Sequence, residues 1–210
     1  MKKRILCFGD SNTWGFDGRT GGRFDEDVRW TGRLQKLLGD GYTVIEEGQN
    51  GRTTVWDDPV ENRLAGLTYL WPCMESQAPF DLIVIMLGTN DTKTYFGMTA
   101  QNVATAAMRL VRLAQTSSFG PGRQNPQVLL IAPPRIKDHE VFRHLFGQQA
   151  ADKSAGFSEA FRRAADETGC HFLDASLYVG PGDADGLHLD EEGHAALAKA
   201  VSEKILSVFR

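Results

Sequence analysis

The sequence predicts an α/β protein, a three-layer α/β/α sandwich with a five-stranded parallel sheet. Short apolar runs alternate along the chain with longer segments of helical periodicity. The run at residues 82–87 is continuously apolar, which is typical of a parallel strand covered on both faces. Polar clusters follow the runs, and the alternation of strands with helices favours an open parallel sheet between two helical layers.

The apolar runs indicate the strands, and the periodic segments indicate the helices. The predicted strands are residues 4–8, 42–46, 82–87, 128–132 and 171–173. Thr99 is a predicted helix N-cap, because apolar residues spaced three and four apart follow it as far as Ala114. Asp190 is the predicted N-cap of the last helix, whose buried face runs from Leu197 to Val208. Further helices are predicted at residues 30–38, 69–77 and 157–168.

Length and composition limit the class of protein. The chain has 210 residues without a linker or a repeat, so we expect one domain, residues 1–210. The net charge of -4 argues against nucleic acid or an anionic membrane as a partner. No apolar window is long enough for a membrane span. The apolar stretch after Met1-Lys2-Lys3-Arg4 is too short for a signal peptide. Long loops, typical of binding loops, are predicted at residues 15–27 and 133–147.

The cysteines and the acidic segments do not have the spacing of a metal site. Cys7, Cys73 and Cys170 lie far apart and form no C-x-x-C pair, which favours reduced thiols in a cytoplasmic protein. Residues 183–194 contain aspartates and histidines, but their spacing does not match a known set of ligands. We therefore expect neither a metal nor another cofactor.

Polar residues after the predicted strands include those needed for acyl transfer. Ser11 follows the first strand, Gly51 the second and Asn90 the third, while Asp185 and His188 precede the last helix. Sites in parallel sheets form beyond the carboxyl ends of the strands, so these residues are expected to meet at one edge.

These residue types fit nucleophilic catalysis. A serine hydroxyl needs a base to take its proton, and His188 can serve Ser11 in this way. Asp185, three residues before His188, can orient the imidazole. The backbone N–H groups of Ser11 and Gly51 and the side-chain amide of Asn90 are candidate donors to an oxyanion.

In this order, the segments resemble the SGNH (GDSL) hydrolase family, whose name gives the serine, glycine, asparagine and histidine that match Ser11, Gly51, Asn90 and His188. The most similar branch is that of the oligomeric aryl esterase/acyltransferases, which also perform perhydrolysis. The segments that carry this similarity are residues 3–15, 27–32, 44–54, 81–93 and 185–188. The resemblance implies a flavodoxin-like fold, a serine esterase or acyltransferase, and Asp185 as the third member of a catalytic triad.

The resemblance also implies the surroundings of the site. Asp10 and Thr89 are expected to be supporting residues. The expected walls of a narrow acyl pocket are Trp14, Phe16, Lys93, Phe142, Phe146 and Leu187. The branch commonly forms octamers, so we expect a homo-oligomer that acts on a small-molecule ester. Glu47 stands where the broader family often has asparagine, a substitution shared with the acyltransferase branch.

Alternative interpretations remain open. Ser11 could serve only as a helix N-cap, or its helix start could bind a phosphate in a non-catalytic module, although Asp10 disfavours an anion there. The same triad could remove acetyl groups from sugars. An α/β-hydrolase has the same order of Ser, Asp and His, but its G-x-S-x-G elbow does not match this chain, which argues against that fold but not against the chemistry. Four other histidines compete for the role of base, and His194 among them is expected to be solvent-exposed. They are His139, His144, His171 and His194.

Overall fold

The computed structural model describes residues 2–210 and confirms the predicted α/β class. Five strands form one sheet in the order β2-β1-β3-β4-β5, and every neighbouring pair is parallel. All five predicted strands are present, with ends shifted by at most two residues. The strands are β1 (Lys3–Gly9), β2 (Tyr42–Gly48), β3 (Leu82–Met86), β4 (Gln127–Ala132) and β5 (His171–Asp174).

Eight α-helices connect or follow the strands in the described part of the chain. They are α1 (Ser11–Trp14), α2 (Trp30–Leu38), α3 (Gly66–Gln77), α4 (Ala100–Gln115), α5 (Arg143–Phe146), α6 (Gln149–Ala155), α7 (Phe157–Thr168) and α8 (Glu191–Val208). Both predicted N-caps are confirmed. The Thr99 side chain accepts a hydrogen bond from the N–H of Asn102, and the Asp190 side chain accepts one from the N–H of Gly193. Helices α1, α5 and α6 were not predicted, because one or two turns give no clear periodicity.

Alternate residues of the strands enter two apolar cores, one on each face of the sheet. In β1, Leu6 and Phe8 face a core that includes α3, α4 and α7. Ile5 and Cys7 face a second core with α2 and α8. Both faces are therefore covered, as the continuously apolar run at residues 82–87 predicted. No helix in residues 2–210 is long and apolar enough to cross a membrane.

His194 in α8 is a correction to the sequence-based expectation. We expected it to be solvent-exposed near the start of the last helix, but its side chain is 0% exposed. The first turn of α8 packs against the start of α2, where His194 Nδ1 accepts a hydrogen bond from the Trp30 N–H at 3.2 Å. The ring of Phe24 meets the imidazole edge-on. The histidine is therefore a structural residue between two helices.

We expect His194 to make the stability of the protein sensitive to acid. Burial, assisted by Arg33, lowers the pKa of His194 from 6.5 to about 4. Between these values the unfolded chain binds more protons than the folded one, so the free energy of unfolding falls as pH decreases through this window. The expected loss is about 3 kcal/mol.

The comparison that checks this is urea unfolding of the parent and His194→Gln between pH 4 and 7. A glutamine can still accept from the Trp30 N–H but does not titrate. The contribution of other groups, such as buried carboxylates, cancels in the difference between the two proteins. The parent should lose stability relative to the variant as pH falls from 6.5 to 4, and a pH-independent difference would contradict the prediction.

Candidate active site

Ser11 lies in the tight turn that leads from β1 into the first turn of α1. Asp10 is the N-cap of this helix, and its Oδ1 accepts a hydrogen bond from the Asn12 N–H at 3.0 Å. The Ser11 Oγ is 2.9 Å from Nε2 of His188, although the two residues are separated by 177 positions in the sequence. The serine hydroxyl is thus in position to transfer its proton to the imidazole.

His188 is in turn hydrogen-bonded to Asp185. Nδ1 of His188 lies 2.7 Å from Oδ2 of Asp185, while Oδ1 accepts from the N–H groups of Leu187 and His188, each at 2.9 Å. Burial alone would raise the pKa of Asp185, but its hydrogen bonds with His188 and Leu187 outweigh burial and lower the pKa. An ionised Asp185 favours the tautomer that leaves Nε2 free to accept a proton.

The three predicted oxyanion donors line one cleft beside the Ser11 hydroxyl. Within residues 2–210, the N–H groups of Ser11 and Gly51 donate to no other protein group. Asn90 donates one amide hydrogen to the Arg52 carbonyl at 3.2 Å, which holds its side chain and leaves the second hydrogen. Gly51 has φ of 77°, and a Cβ there would lie 2.8 Å from Arg63 Cγ, so the turn requires glycine.

Two buried residues that we did not predict from the sequence hold the loops at this edge. Arg52 Nη1 donates to the Gly9 carbonyl at 2.8 Å and to the Glu47 carbonyl, so it joins the ends of β1 and β2. Asp91 accepts from the Thr54 N–H at 3.0 Å. Because these contacts depend on the fold, no local pattern in the sequence could identify them.

The expected supporting residues Asp10 and Thr89 lie next to each other beneath the site. Burial raises the pKa of Asp10 to about 6. The hydrogen bonds from the Asn12 N–H and from Thr89 act in the opposite direction, as do the charges of His188 and Arg52. Asp91 is similarly buried, and its pKa is also raised to about 6. Neither carboxyl replaces Asp185, which is the one bonded to His188.

Two aromatic rings enclose the imidazole of His188. The centroid of Phe16 is 4.3 Å from that of His188, and Phe142 meets the imidazole edge-on at 5.7 Å. Phe142 is in edge-to-face contact with Phe146, four residues later at the end of α5. The two long loops predicted from the sequence therefore supply apolar surroundings for His188.

The cleft beside Ser11 has a volume of about 170 Å³. Five of the six expected wall residues line it: Phe16, Lys93, Phe142, Phe146 and Leu187. Trp14 does not, because its ring packs against Phe16 and lies under the guanidinium of Arg23. The structure therefore places Trp14 outside the lining of this cleft, in contrast to the expectation.

Lys93 is buried at the cleft and forms ion pairs with two carboxylates. Its Nζ is 2.7 Å from Oδ2 of Asp58 and also bonds Glu61. Tyr95 donates to the same Asp58 oxygen at 2.7 Å. Lys93 therefore anchors the turn at residues 58–63 beside the cleft.

Gly18 provides a test of how closely Asp185 must be held. A Cβ on Gly18 would lie 2.4 Å from Oδ2 of Asp185, the oxygen that bonds His188. If the protein has the esterase activity that the resemblance implies, we expect Gly18→Ala to displace the carboxylate and lower kcat about 10- to 100-fold in an ester-hydrolysis assay, with KM little changed. Gly22→Ala in the same loop is the control, since its nearest neighbour is the exposed Thr20 hydroxyl. Equal activity of the two variants would contradict the prediction.

Two of the other histidines, His171 and His194, have hydrogen-bond partners that do not line the cleft. His171 is the first residue of β5, and its Nε2 is 3.2 Å from Oε1 of Gln127, the first residue of the neighbouring β4. No group of three or more His, Cys, Asp or Glu in the described chain is arranged to hold a metal ion.

Comparison with known proteins identifies the family. Residues 7–196 match the model of the GDSL-like Lipase/Acylhydrolase family, a range that extends from β1 into α8. The chain belongs to this family. The match confirms the resemblance drawn from Ser11, Gly51, Asn90 and His188, and it excludes the α/β-hydrolase interpretation.

Several relatives of this GDSL family protein are esterases. A carbohydrate acetylesterase from Sinorhizobium meliloti is 38% identical, with 99% of this chain and 100% of that one covered and a TM-score of 0.94. The M. smegmatis aryl esterase is 39% identical, with 98% and 99% covered and a TM-score of 0.92. An acetylxylan esterase from Xylanibacter ruminicola is 26% identical over 96% of this chain, which spans only 43% of that protein. Family and relatives together support a carboxylic ester hydrolase.

Proposed function

We propose that this GDSL family protein is a serine esterase that cleaves short-chain acyl esters through an acyl-enzyme on Ser11. The observation that carries the proposal is the continuous hydrogen-bonded chain from Ser11 Oγ to His188 at 2.9 Å and from His188 to Asp185 at 2.7 Å. The serine opens onto a cleft, which distinguishes this arrangement from a helix cap alone.

In the acylation step, Ser11 Oγ attacks the acyl carbon while its proton passes to Nε2 of His188. The substrate carbonyl oxygen becomes an oxyanion that accepts hydrogen bonds from Ser11, Gly51 and Asn90. When the tetrahedral intermediate collapses, the bond to the alcohol breaks and His188 returns the proton to the leaving oxygen. An acceptor then gives its proton to His188 and attacks the acyl carbon. When this second tetrahedral intermediate collapses, the bond to Ser11 Oγ breaks and His188 returns the proton to Oγ.

The cleft supports a small acyl or aryl group. Its volume of about 170 Å³ is close to that of an apolar cavity of roughly 150 Å³ that holds benzene. The apolar part of its lining is formed by Phe16, Phe142, Leu145, Phe146 and Leu187. A long acyl chain would extend beyond these walls, so acetyl and similar groups are the proposed substrates.

Acyl transfer to alcohols or hydrogen peroxide is a second part of the proposal. Phe16 and Phe142 surround His188, where a water molecule would have to give up its proton during hydrolysis. An apolar surround favours an acceptor with an alkyl group, which gains from burial, over water. Hydrolysis and transfer would then share one acyl-enzyme and compete for it.

Deacetylation of sugars is the alternative substrate class. Relatives described as a carbohydrate acetylesterase and an acetylxylan esterase favour it. Polar side chains also line the cleft, namely Asn50, Glu61, Arg63 and Lys93. These groups can hydrogen-bond hydroxyl groups on the alcohol part of an ester.

An acyl-chain-length series of p-nitrophenyl esters, with and without an added alcohol, tests the proposal. We expect kcat/KM to fall beyond short chains and a new ester to form when the alcohol is present. Peptide mass spectrometry after rapid quenching should find the acyl group on Ser11. Acetate release from acetylated xylose, compared with phenyl acetate, separates the two substrate classes. Release at the uncatalysed rate from every ester would contradict an esterase.

We also propose a cytoplasmic homo-oligomer, an octamer by analogy with the aryl esterase branch. Exposed apolar side chains between β2 and β3 support an interface, including Trp56, which is 61% exposed. The three thiols are free, and burial raises the pKa of each, consistent with a reducing compartment. Light scattering on the purified protein tests the octamer, since a monomeric mass would contradict it.

A further inference from the structure

Asn12, the residue after the nucleophile, is hydrogen-bonded to the loop that carries the base. Its Oδ1 accepts from the Leu189 N–H at 2.9 Å, and its Nδ2 donates to the Leu187 carbonyl at 3.4 Å. These two backbone groups lie on either side of His188 in the sequence. The Asn12 side chain is buried and does not line the cleft, so it is not placed to contact substrate.

The sheet alone does not fix the distance between Ser11 and His188. Ser11 follows β1, whereas the loop of His188 follows β5, which lies three strands away, or about 14 Å at the usual strand spacing. Residues 175–190 therefore cross back over the sheet edge. Hydrogen bonds such as that from the Gly182 N–H to the His188 carbonyl hold this loop together without joining it to β1.

The direct links between α1 and this loop are few. Among residues 2–210, the hydrogen bonds between α1 and residues 175–190 are the two of Asn12 and the Ser11–His188 bond itself. The Asn12 N–H is also held by Asp10, so the anchor and the nucleophile belong to one capped turn. A movement of the His188 backbone away from Ser11 would break both bonds of Asn12.

From these contacts we infer that Asn12 is a positioning residue, which holds the backbone on both sides of His188 so that Nε2 stays within hydrogen-bonding distance of Ser11. The inference rests on the proposed esterase activity and deepens it. Asn12 acts through His188 and takes no part in proton transfer. Its loss should therefore slow the steps that need the base more than it weakens binding of substrate.

Three variants test the role of Asn12. Asn12→Ala removes both bonds and should lower kcat for p-nitrophenyl acetate about 10- to 100-fold, with KM within about twofold of the parent. Asn12→Asp keeps an acceptor for the Leu189 N–H and should recover part of the loss. The matched control is Thr13→Val, because Thr13 is the next residue of α1, is equally buried, and has a hydroxyl without a partner in residues 2–210. Its kcat should equal that of the parent.

Reaction with an uncharged fluorophosphonate separates positioning from a general effect on folding. The rate constant for inactivation of Asn12→Ala should fall by the same factor as kcat. The fraction of protein molecules that finally react with the reagent should equal that of the parent. Parental kcat per active site, or a loss due entirely to fewer active sites, would overturn the inference. If Asn12→Ala does not fold, Asn12→Asp carries the same measurement, with an intermediate loss expected. A parent without esterase activity would overturn the proposed function as well, whereas an active parent with an unaffected variant overturns this inference alone.

Discussion

Replacing Ser11 by alanine is expected to lower kcat for p-nitrophenyl acetate by about 10⁶-fold, the effect typical of removing the nucleophile of a catalytic triad. Without Oγ no acyl-enzyme can form, and His188 has no hydroxyl to deprotonate. The fold should be unchanged, because the Ser11 hydroxyl makes its hydrogen bond to His188. Equal melting temperatures of variant and parent would show that the loss is chemical.

Ser207→Ala is the matched control for this substitution. Ser207 is an exposed residue near the end of α8, and its hydroxyl donates to the Lys204 carbonyl. It does not line the cleft. Parental activity of Ser11→Ala would exclude the proposed nucleophile. Residual activity in a Ser11→Ala preparation could come from a contaminating esterase. Inhibition of such activity would not follow the acylation of Ser11 that is measured in the parent.

The elements that the sequence predicted are those whose signal is local. The strand at residues 82–87 is continuously apolar because both of its faces are covered, and this burial is seen for all of β3. Thr99 and Asp190 were predicted as N-caps because a capping side chain bonds an N–H only three residues later. Such features depend on neighbours in the chain, so they can be identified without the fold.

The proposed catalytic residues were also predictable, but for a topological reason. Carboxyl ends of parallel strands meet at one edge, so Ser11, Gly51 and Asn90 were expected to be close once their strands were assigned. Asp185 and His188 are only three residues apart, which allowed their pairing to be expected. The distances that make the chain of hydrogen bonds continuous come from the structure alone.

What the sequence did not predict depends on contacts between distant segments. Trp14 was placed in the pocket by family resemblance, yet its ring packs against Phe16 and Arg23. His194 is polar and close to a helix start, but helix packing buries it against Trp30. The role inferred for Asn12 likewise depends on a distant loop, because its partner Leu187 lies 175 residues later in the sequence.

The second large effect is expected for Asp185→Asn, which preserves the shape of the side chain but reverses one hydrogen bond. The amide oxygen of the substituted side chain can still accept from the N–H groups of Leu187 and His188, as Oδ1 of Asp185 does. Its NH₂ group then faces His188 Nδ1, which must become the acceptor, so the proton moves to Nε2. In this tautomer the imidazole cannot take the proton of Ser11, and kcat should fall by about 10⁴-fold.

Three measurements examine this explanation for Asp185. The KM of Asp185→Asn should stay near that of the parent, because Asp185 does not line the cleft of the proposed substrate. Asp183→Asn is the control, since Asp183 is an exposed carboxylate in the same loop that pairs with Lys137. Because nucleophile, base and carboxylate act as one unit, the double variant Ser11→Ala/Asp185→Asn should be no slower than Ser11→Ala alone. A further 10⁴-fold loss in the double variant would mean that Asp185 acts independently of Ser11, and the proposed triad would then be wrong.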